Sequence, residues 1–417
     1  MHQQTRTNRL TTFGLAAACA LTVATGTFAQ DRPADSADGE GAPDTASRIV
    51  AFEAGLRALS ARDNVDAPTY LIAGRMSAYR VPGAAVAIIK DGEPILVRGY
   101  GFRSVDGTDA VDGDTVFSVG SVSKVVNAVL ILRLVQAGLV DLDTDVNEYL
   151  TSWRVPENRH TRKMQPTLRM ILSHTAGFTQ SGFPDFQPRE DLPTGLQTLN
   201  GEHPAKHRRV RVASEPGSSM NYSGGGITVS QVLVEDVTGM SYEEAARQYV
   251  FEPLGMTRST FINPLPPTHG NIACAHDKKG RPRALPRCYE AMAEMAASGL
   301  WTSANDMARF MIGVMNDETF LNTDLRSDML SRAPNSWHGL GPRINFDSAG
   351  TSFFHHGGQN DSYKAWIEGR PTTGDAIISL TNGEDGQRLG YELRLSAERA
   401  FDWSVRFPDD FATPEFE

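Results

Sequence analysis

Ser121-Val122-Ser123-Lys124 lies between Thr115-Val116-Phe117-Ser118-Val119, which reads as extended chain, and Val125-Val126-Asn127-Ala128-Val129-Leu130-Ile131-Leu132, a strongly apolar run. With Gly120 between them, the segment predicts a strand, a tight turn and a buried helix whose N-terminus carries Ser121. Residues three apart on a helix share a face, so the Ser121 hydroxyl and the Lys124 amine are placed to act as nucleophile and partner. The first amides of a helix lack intrahelical acceptors and sit at the positive end of its dipole, which favours a developing oxyanion. A serine and a lysine at this spacing also occur on any solvated helix face, so other segments must complete a site.

Upstream, Pro82-Gly83 introduces Ala84-Ala85-Val86-Ala87-Ile88-Ile89-Lys90, a strand, and Asp91-Gly92 predicts a hairpin turn into Ile95-Leu96-Val97-Arg98-Gly99-Tyr100-Gly101. Residues 48–79 have helical apolar spacing. Downstream, helices are expected over 125–136, 167–173, 227–238, 242–249 and 303–315. Strands return at 351–355, 363–368 and 376–381, before a closing helix around 389–401. Strands at both ends with helices between them predict an α/β fold in one domain, 48–405. Its sheet part comes from about 48–120 and 310–405, and a mainly helical insertion spans about 121–309.

The 417 residues are 40% hydrophobic and 22% charged, ordinary for a globular enzyme. A formal net charge of -10 and a pI near 5.5 leave no basic face for nucleic acid. Arg6 and Arg9 precede a run of small and apolar residues over 10–28 that ends at Thr27-Phe28-Ala29, so 1–29 is expected to be an export signal. The protein would then be exported, periplasmic or secreted, with no stable membrane span after cleavage. Residues 30–47, rich in Asp, Ala, Gly and Pro, read as a disordered acidic linker, and 406–417 as a tail. Cys19 would leave with the signal. Cys274 and Cys288 remain as an even pair, either a disulfide or two buried thiols.

Two further clusters carry chemistry. In Asn221-Tyr222-Ser223-Gly224-Gly225-Gly226 a tyrosine precedes a glycine run and a helix. A phenol held near Lys124 would have its ionised form favoured and serve as general base, whereas alone it is an ordinary turn aromatic. In His355-His356-Gly357-Gly358-Gln359-Asn360 the glycines let backbone approach a ligand and supply a second oxyanion N–H.

Ser121-x-x-Lys124, Tyr222-Ser223 and His356-x-Gly358, in this order, resemble the three motifs of the serine hydrolases related to class C β-lactamases and D-alanyl-D-alanine carboxypeptidases. Val81-Pro82-Gly83, Leu172-Ser173-His174-Thr175-Ala176-Gly177-Phe178, Pro253-Leu254-Gly255-Met256 and Ala297-Ser298-Gly299-Leu300-Trp301-Thr302-Ser303 are similar to the same family, over about 50–400. The resemblance implies a β-lactamase/transpeptidase-like antiparallel sheet flanked by helices. It makes Ser121 the acylated nucleophile, Lys124 the cation that helps deprotonate it, and Tyr222 the group that moves the proton. His356 takes the place of the lysine in a Lys-Thr-Gly motif, with the amides of Ser121 and Gln359 as oxyanion hole beside Gly358. No metal or cofactor is implied. The substrate would be a small ester, amide or D-amino-acid peptide.

Gly224 departs from the family's Tyr-x-Asn, whose asparagine contacts an acylamino group. This change and His356 point toward an ester or amide hydrolase. D-amino-acid peptidase, penicillin-binding or weak β-lactamase activity, and a non-catalytic binding module on the same fold, are the alternatives. Elsewhere the plain readings stand: His203-Pro204-Ala205-Lys206-His207 is a solvated loop, His174 a hydrogen-bonded turn residue, and 278–283 a charged surface loop. Trp301 belongs either to the cleft or to the core.

Overall fold

The computed structural model describes residues 44–403 except 63, 188 and 284–287. Gly83–Lys90 (β1) and Glu93–Gly101 (β2) form the expected hairpin. It turns at Asp91 and Gly92, with φ of 54° and 83°, the left-handed pair that a type I′ turn requires. A two-residue ladder pairs Phe117–Ser118 (β3) with Trp301–Thr302 (β4). The remaining strands are Arg343–Phe346 (β5), Ser352–Gln359 (β6), Lys364–Arg370 (β7) and Asp375–Thr381 (β8). The main sheet is antiparallel throughout, in the order β2-β1-β8-β7-β6-β5.

Among the described residues the α-helices are Thr45–Ala54 (α1), Ile72–Tyr79 (α2), Ser123–Gln136 (α3), Leu168–Leu172 (α4), Gly195–Asn200 (α5), Gly224–Thr238 (α6), Tyr242–Ala246 (α7), Met295–Ser298 (α8), Ala304–Asn316 (α9), Thr323–Met329 (α10) and Gly386–Ala400 (α11). Helices α1, α2 and α11 cover one face of the sheet, and α9 lies against the other. Side chains alternate across a strand, so Ala84, Val86 and Ile88 of β1 pack toward α11 while Ala85, Ala87 and Ile89 enter the larger core shared with the helical region. Burial on both faces explains why β1 is apolar at every position from Ala84 to Ile89 instead of every second one.

The linker expected over 30–47 ends earlier than the sequence suggested. Asp44 caps α1 by accepting from the Ser47 amide at 2.7 Å, so Thr45, Arg48 and their neighbours are helical. The export signal, the rest of that linker and the tail expected at 406–417 lie outside the described residues. The helical stretch read over 48–79 is two helices, because the intervening segment is set by turn chemistry. There Leu56 bridges Tyr70, and the Asp66 amide donates to Asn64 Oδ1 at 3.0 Å. Of 115–119 only Phe117–Ser118 pairs as strand, since Gly120 turns the chain at φ 50°. The boundary expected at 310 falls inside α9, which packs on β1, β2 and β8. β6 runs four residues beyond its expected end, through the glycines to Gln359, and β5 was not foreseen. No described helix is long and apolar enough to cross a membrane. Cys274 and Cys288 form a disulfide, Cα–Cα 5.0 Å.

Candidate active site

Ser121 is held by a close backbone contact between the turn before α3 and the end of β6. A Cβ on Gly120 would lie 2.7 Å from both N and C of Gln359, and one on Gly358 would fall onto the Val119 carbonyl. Only residues without side chains let these segments touch. The turn is pinned by Ser123, whose hydroxyl donates to Gly120 O at 2.6 Å and accepts from the Leu300 amide at 3.0 Å. Ser121 thus sits in a short 3₁₀ turn, Gly120–Val122, that leads into α3 beside the Gln359 backbone.

Lys124, one turn along, is 1% exposed. Its ammonium donates to Ser121 Oγ at 3.0 Å and to Ala297 O at 2.6 Å, and lies 5.1 Å from the centre of the Tyr222 ring. These contacts offset the desolvation of a buried charge. Tyr222 is carried by a loop clamped on both sides to His174, itself at φ 61°. The Asn221 amide donates to His174 O at 2.7 Å and the Ser223 amide to His174 Nδ1 at 3.2 Å. Ser223 then caps α6 through a 2.9 Å bond from the Gly226 amide.

Three imidazoles surround the phenol: His174, His338 and His356 have ring centres 4.3, 5.9 and 6.3 Å from that of Tyr222. Burial, then the nearby charges, hold His174 and His356 well below the ordinary histidine range, and burial takes His338 down to about 3. All three are therefore neutral at neutral pH. His338 and His356 face the carbonyls of Gly341 and Gly357 through Nδ1, at 3.0 and 2.6 Å, which places their proton on Nδ1 and leaves Nε2 as an acceptor. His174 has the opposite tautomer, because its Nδ1 accepts.

The cavity in front of Ser121 has a volume of about 300 Å³ and extends past Tyr222 and β6 to the face of the sheet under α11. One edge of β6 is open there. β5 pairs only with residues 352–355. The Asn360 amide donates to Tyr363 O, so by the alternation of an antiparallel ladder residues 358 and 356 bond β7 while 357 and 359 turn their backbone groups outward. The Gln359 N–H therefore points out from the open edge, and the Gln359 backbone lies against the Gly120 turn that carries Ser121. Arg343 lines this cavity, is partly buried, and has no carboxylate partner among the described residues. On the other side, the position of a side chain at Gly224 is taken by Phe183, whose ring carbon would lie 2.9 Å from a Cβ there.

The structure brings Ser121, Lys124, Tyr222, His356, Gly358 and Gln359 together. His174 is the turn residue expected, with the added part of fixing the Tyr222 loop. Trp301 belongs to the core at 1% exposure. Arg283 of the surface loop pairs with Glu290 at 2.9 Å. Sequence reasoning missed His338 and Arg343. Both stand in Trp337-His338-Gly339-Leu340-Gly341-Pro342-Arg343, where the only local signal was a polar residue on each side of a glycine-rich turn.

A family model described as Beta-lactamase matches residues 69–401. Penicillin-binding protein 4 of Amycolatopsis lactamdurans is 27% identical over 363 residues, covering 81% of this chain and 90% of that protein. Protein flp of Staphylococcus aureus (strain N315) is 25% identical over 181 residues, 43% of this chain and 35% of that protein, so the match spans about a third of that relative's length. Among solved structures, the octameric penicillin-binding protein homologue from Pyrococcus abyssi superposes with a TM-score of 0.63 at 23% identity, over 79% of this chain and 77% of that one. SurE with D-Leu also gives 0.63, at 21% identity over 81% and 75%. Likeness at these identities speaks to the fold alone.

Proposed function

Because this chain belongs to the beta-lactamase family, we propose that it is a carboxypeptidase-type serine hydrolase, releasing a C-terminal D-amino acid from a small acyl peptide through an acyl-enzyme on Ser121. The observation that carries this reading is Arg343, a guanidinium lining the catalytic cavity with no carboxylate partner among the described residues. A cation left open beside a nucleophile suits an anionic substrate, and in a peptide the free carboxylate belongs to the leaving residue. The D configuration is taken from the relatives, among them a penicillin-binding protein and a structure holding D-Leu.

In this mechanism the protonated Lys124 donates to Ser121 Oγ, so it does not also remove that oxygen's proton. Tyr222 is the general base that takes the proton while Ser121 Oγ bonds to the carbonyl carbon, and the Lys124 ammonium 5.1 Å from its ring centre favours the ionised form this role needs. The amides of Ser121 and Gln359 hold the oxyanion. Tyr222 then passes the proton to the departing nitrogen as the C–N bond breaks. Water attacks the ester carbon while giving its proton to the same tyrosine, the bond from that carbon to Ser121 Oγ breaks, and the tyrosine returns the proton to Ser121 Oγ as the acid leaves. With the histidines neutral, the positive charge set against the phenol ring is the Lys124 ammonium, 5.1 Å from its centre. We also place the mature protein outside the cytosol, since the Cys274–Cys288 disulfide suits an oxidising compartment.

A second reading, a carboxylesterase, is favoured by Phe183 in the space where an acylamino contact would stand. The test compares Nα-acetyl-D-Ala-D-Ala with its C-terminal amide and methyl ester, in the wild type and in Arg343→Gln. A charge-assisted hydrogen bond is worth ~1.5–3 kcal/mol, so Arg343→Gln is expected to lower kcat/KM for the free acid by roughly 10- to 100-fold and to spare the capped forms. An enzyme that prefers the ester, with no effect of Arg343→Gln on the free acid, supports the second reading instead.

A further inference from the structure

We infer that the lobe of the cavity beneath α11 is a specificity slot for a large, neutral aromatic side chain on the leaving amino acid. This deepens the carboxypeptidase reading and rests on it. Residues 355, 357 and 359 of β6 point their side chains to the α11 face, together with Trp366 of β7 and Ser379 of β8, which pair in register with Gly357 and with each other. Gly390 and Tyr391 of α11 close the lobe from above.

The lobe is lined by aromatic rings and by residues with small side chains or none. His355 stacks on Trp366 with ring centres 4.9 Å apart and planes 19° from parallel, and Tyr391 lies 5.8 Å from Trp366 at 50°. A Cβ at position 357 would lie 3.3–3.4 Å from the Trp366 ring, so glycine lets the indole lie flat across β6 beside its open edge. Trp366 Nε1 donates to Glu368 Oε2 at 3.4 Å, and Glu368 is held by Arg370 and Arg394, each at 2.6 Å. The indole is thereby fixed in place rather than free to collapse into the gap.

Size and charge narrow the occupant. The whole cavity, from Ser121 to the lobe under α11, holds about 300 Å³, the lower end for a small-molecule site, so the lobe has room for no more than one side chain of the leaving residue. Among the described residues the lining carries Arg343 and Lys364 and no carboxylate, so it favours the free carboxylate of the leaving residue and disfavours a cationic side chain. His355 stays neutral, held well below its ordinary range by burial and by Arg343 and Arg394, so the ring that backs Trp366 adds no positive charge to the lobe.

The experiment is the release of the terminal residue from Nα-acetyl-D-Ala-D-Xaa by the mature protein, with D-Ala, D-Leu, D-Phe and D-Lys as the last residue. The expected kcat/KM ranks D-Phe above D-Ala by about tenfold or more, from the apolar area an aromatic ring buries, with D-Lys lowest. Trp366→Ala should collapse the D-Phe to D-Ala ratio, and Trp366→Phe should restore it. Gly390→Leu, which fills the lobe from a helical position, should bring the ratio toward one as well. D-Phe and D-Ala turned over within twofold of each other, or a ratio that no variant moves, overturns the slot while leaving the carboxypeptidase standing. Release from no member of the series, with Ser121 still labelled by a phosphonate, overturns the carboxypeptidase reading and the slot with it.

Discussion

Replacing Gly120 by alanine tests whether backbone contact between the serine turn and β6 sets the oxyanion geometry. The new Cβ would lie 2.7 Å from Gln359 N and C, against the 3.4 Å at which ordinary contact begins, so the strand end or the turn must yield by 0.7 Å. That exceeds the ~0.5 Å within which a catalytic constellation stays productive. A misplacement of about 1 Å costs ~100-fold, and outright loss of one oxyanion donor ~10²–10³. Gly120→Ala is therefore expected to lower the acylation rate on p-nitrophenyl acetate by roughly 30- to 100-fold. The left-handed backbone, φ 50°, adds ~1–2 kcal/mol of instability. Gly138 separates the two effects: at φ 72°, exposed and with nothing within 4 Å of its added Cβ, Gly138→Ala has the same backbone strain without the collision. A fall in melting temperature for both variants, larger at position 120 where the buried collision adds to the strain, with the rate lost only at position 120, is the expected pattern. A folded Gly120→Ala enzyme within twofold of the wild-type rate would refute the reasoning.

His338→Phe should flatten the pH dependence of stability. Its folded pKa, about 3, lies below the unfolded 6.5, so its contribution is complete above pH 6.5 and is lost as the pH falls toward 3, by ~1.4 kcal/mol per unit. Urea midpoints at pH 7, 6 and 5 measure the slope difference, and parallel curves would count against a buried neutral imidazole. Glu368→Gln breaks a fully buried carboxylate away from Arg370 and Arg394. A loss of ~3–5 kcal/mol in urea unfolding is expected. Reducing the Cys274–Cys288 bond, 14 residues apart, should cost ~3 kcal/mol. A thermal melt indifferent to dithiothreitol would contradict it.

What was legible in the chain follows from range. Ser121, Lys124, Tyr222 and His356 announce themselves because each stands in a short run of turn glycines and apolar neighbours that predicts its own local backbone. The β1–β2 hairpin and strands β7 and β8 are similarly self-contained. Arg343 was not legible, because its meaning depends on β5 pairing residue 343 with residue 355. β5 itself is four residues long, with one fully polar face of Arg343 and Asn345. Gly224 could be read as a missing side chain, but the ring that fills the space comes from Phe183, in a loop with no pattern of its own. The early start of α1 was hidden by composition: a single Asp44 cap outweighs an otherwise linker-like stretch.

The seam between β1 and β8 places a demand on synthesis. Ala84 pairs with Thr381, so while the nearly 300 residues between them are being made, at ~5–20 residues per second, β1 has only β2 beside it. For roughly 15 to 60 s the run Ala84–Ile89, which carries no charge or proline in its six residues, is an unpaired sticky edge. Lys90 and the Asp91-Gly92 turn are its immediate gatekeepers. The nascent chain must be kept from self-association through that interval, and substitutions that remove the charge at Lys90 would be felt first in yield rather than in the stability of the finished enzyme.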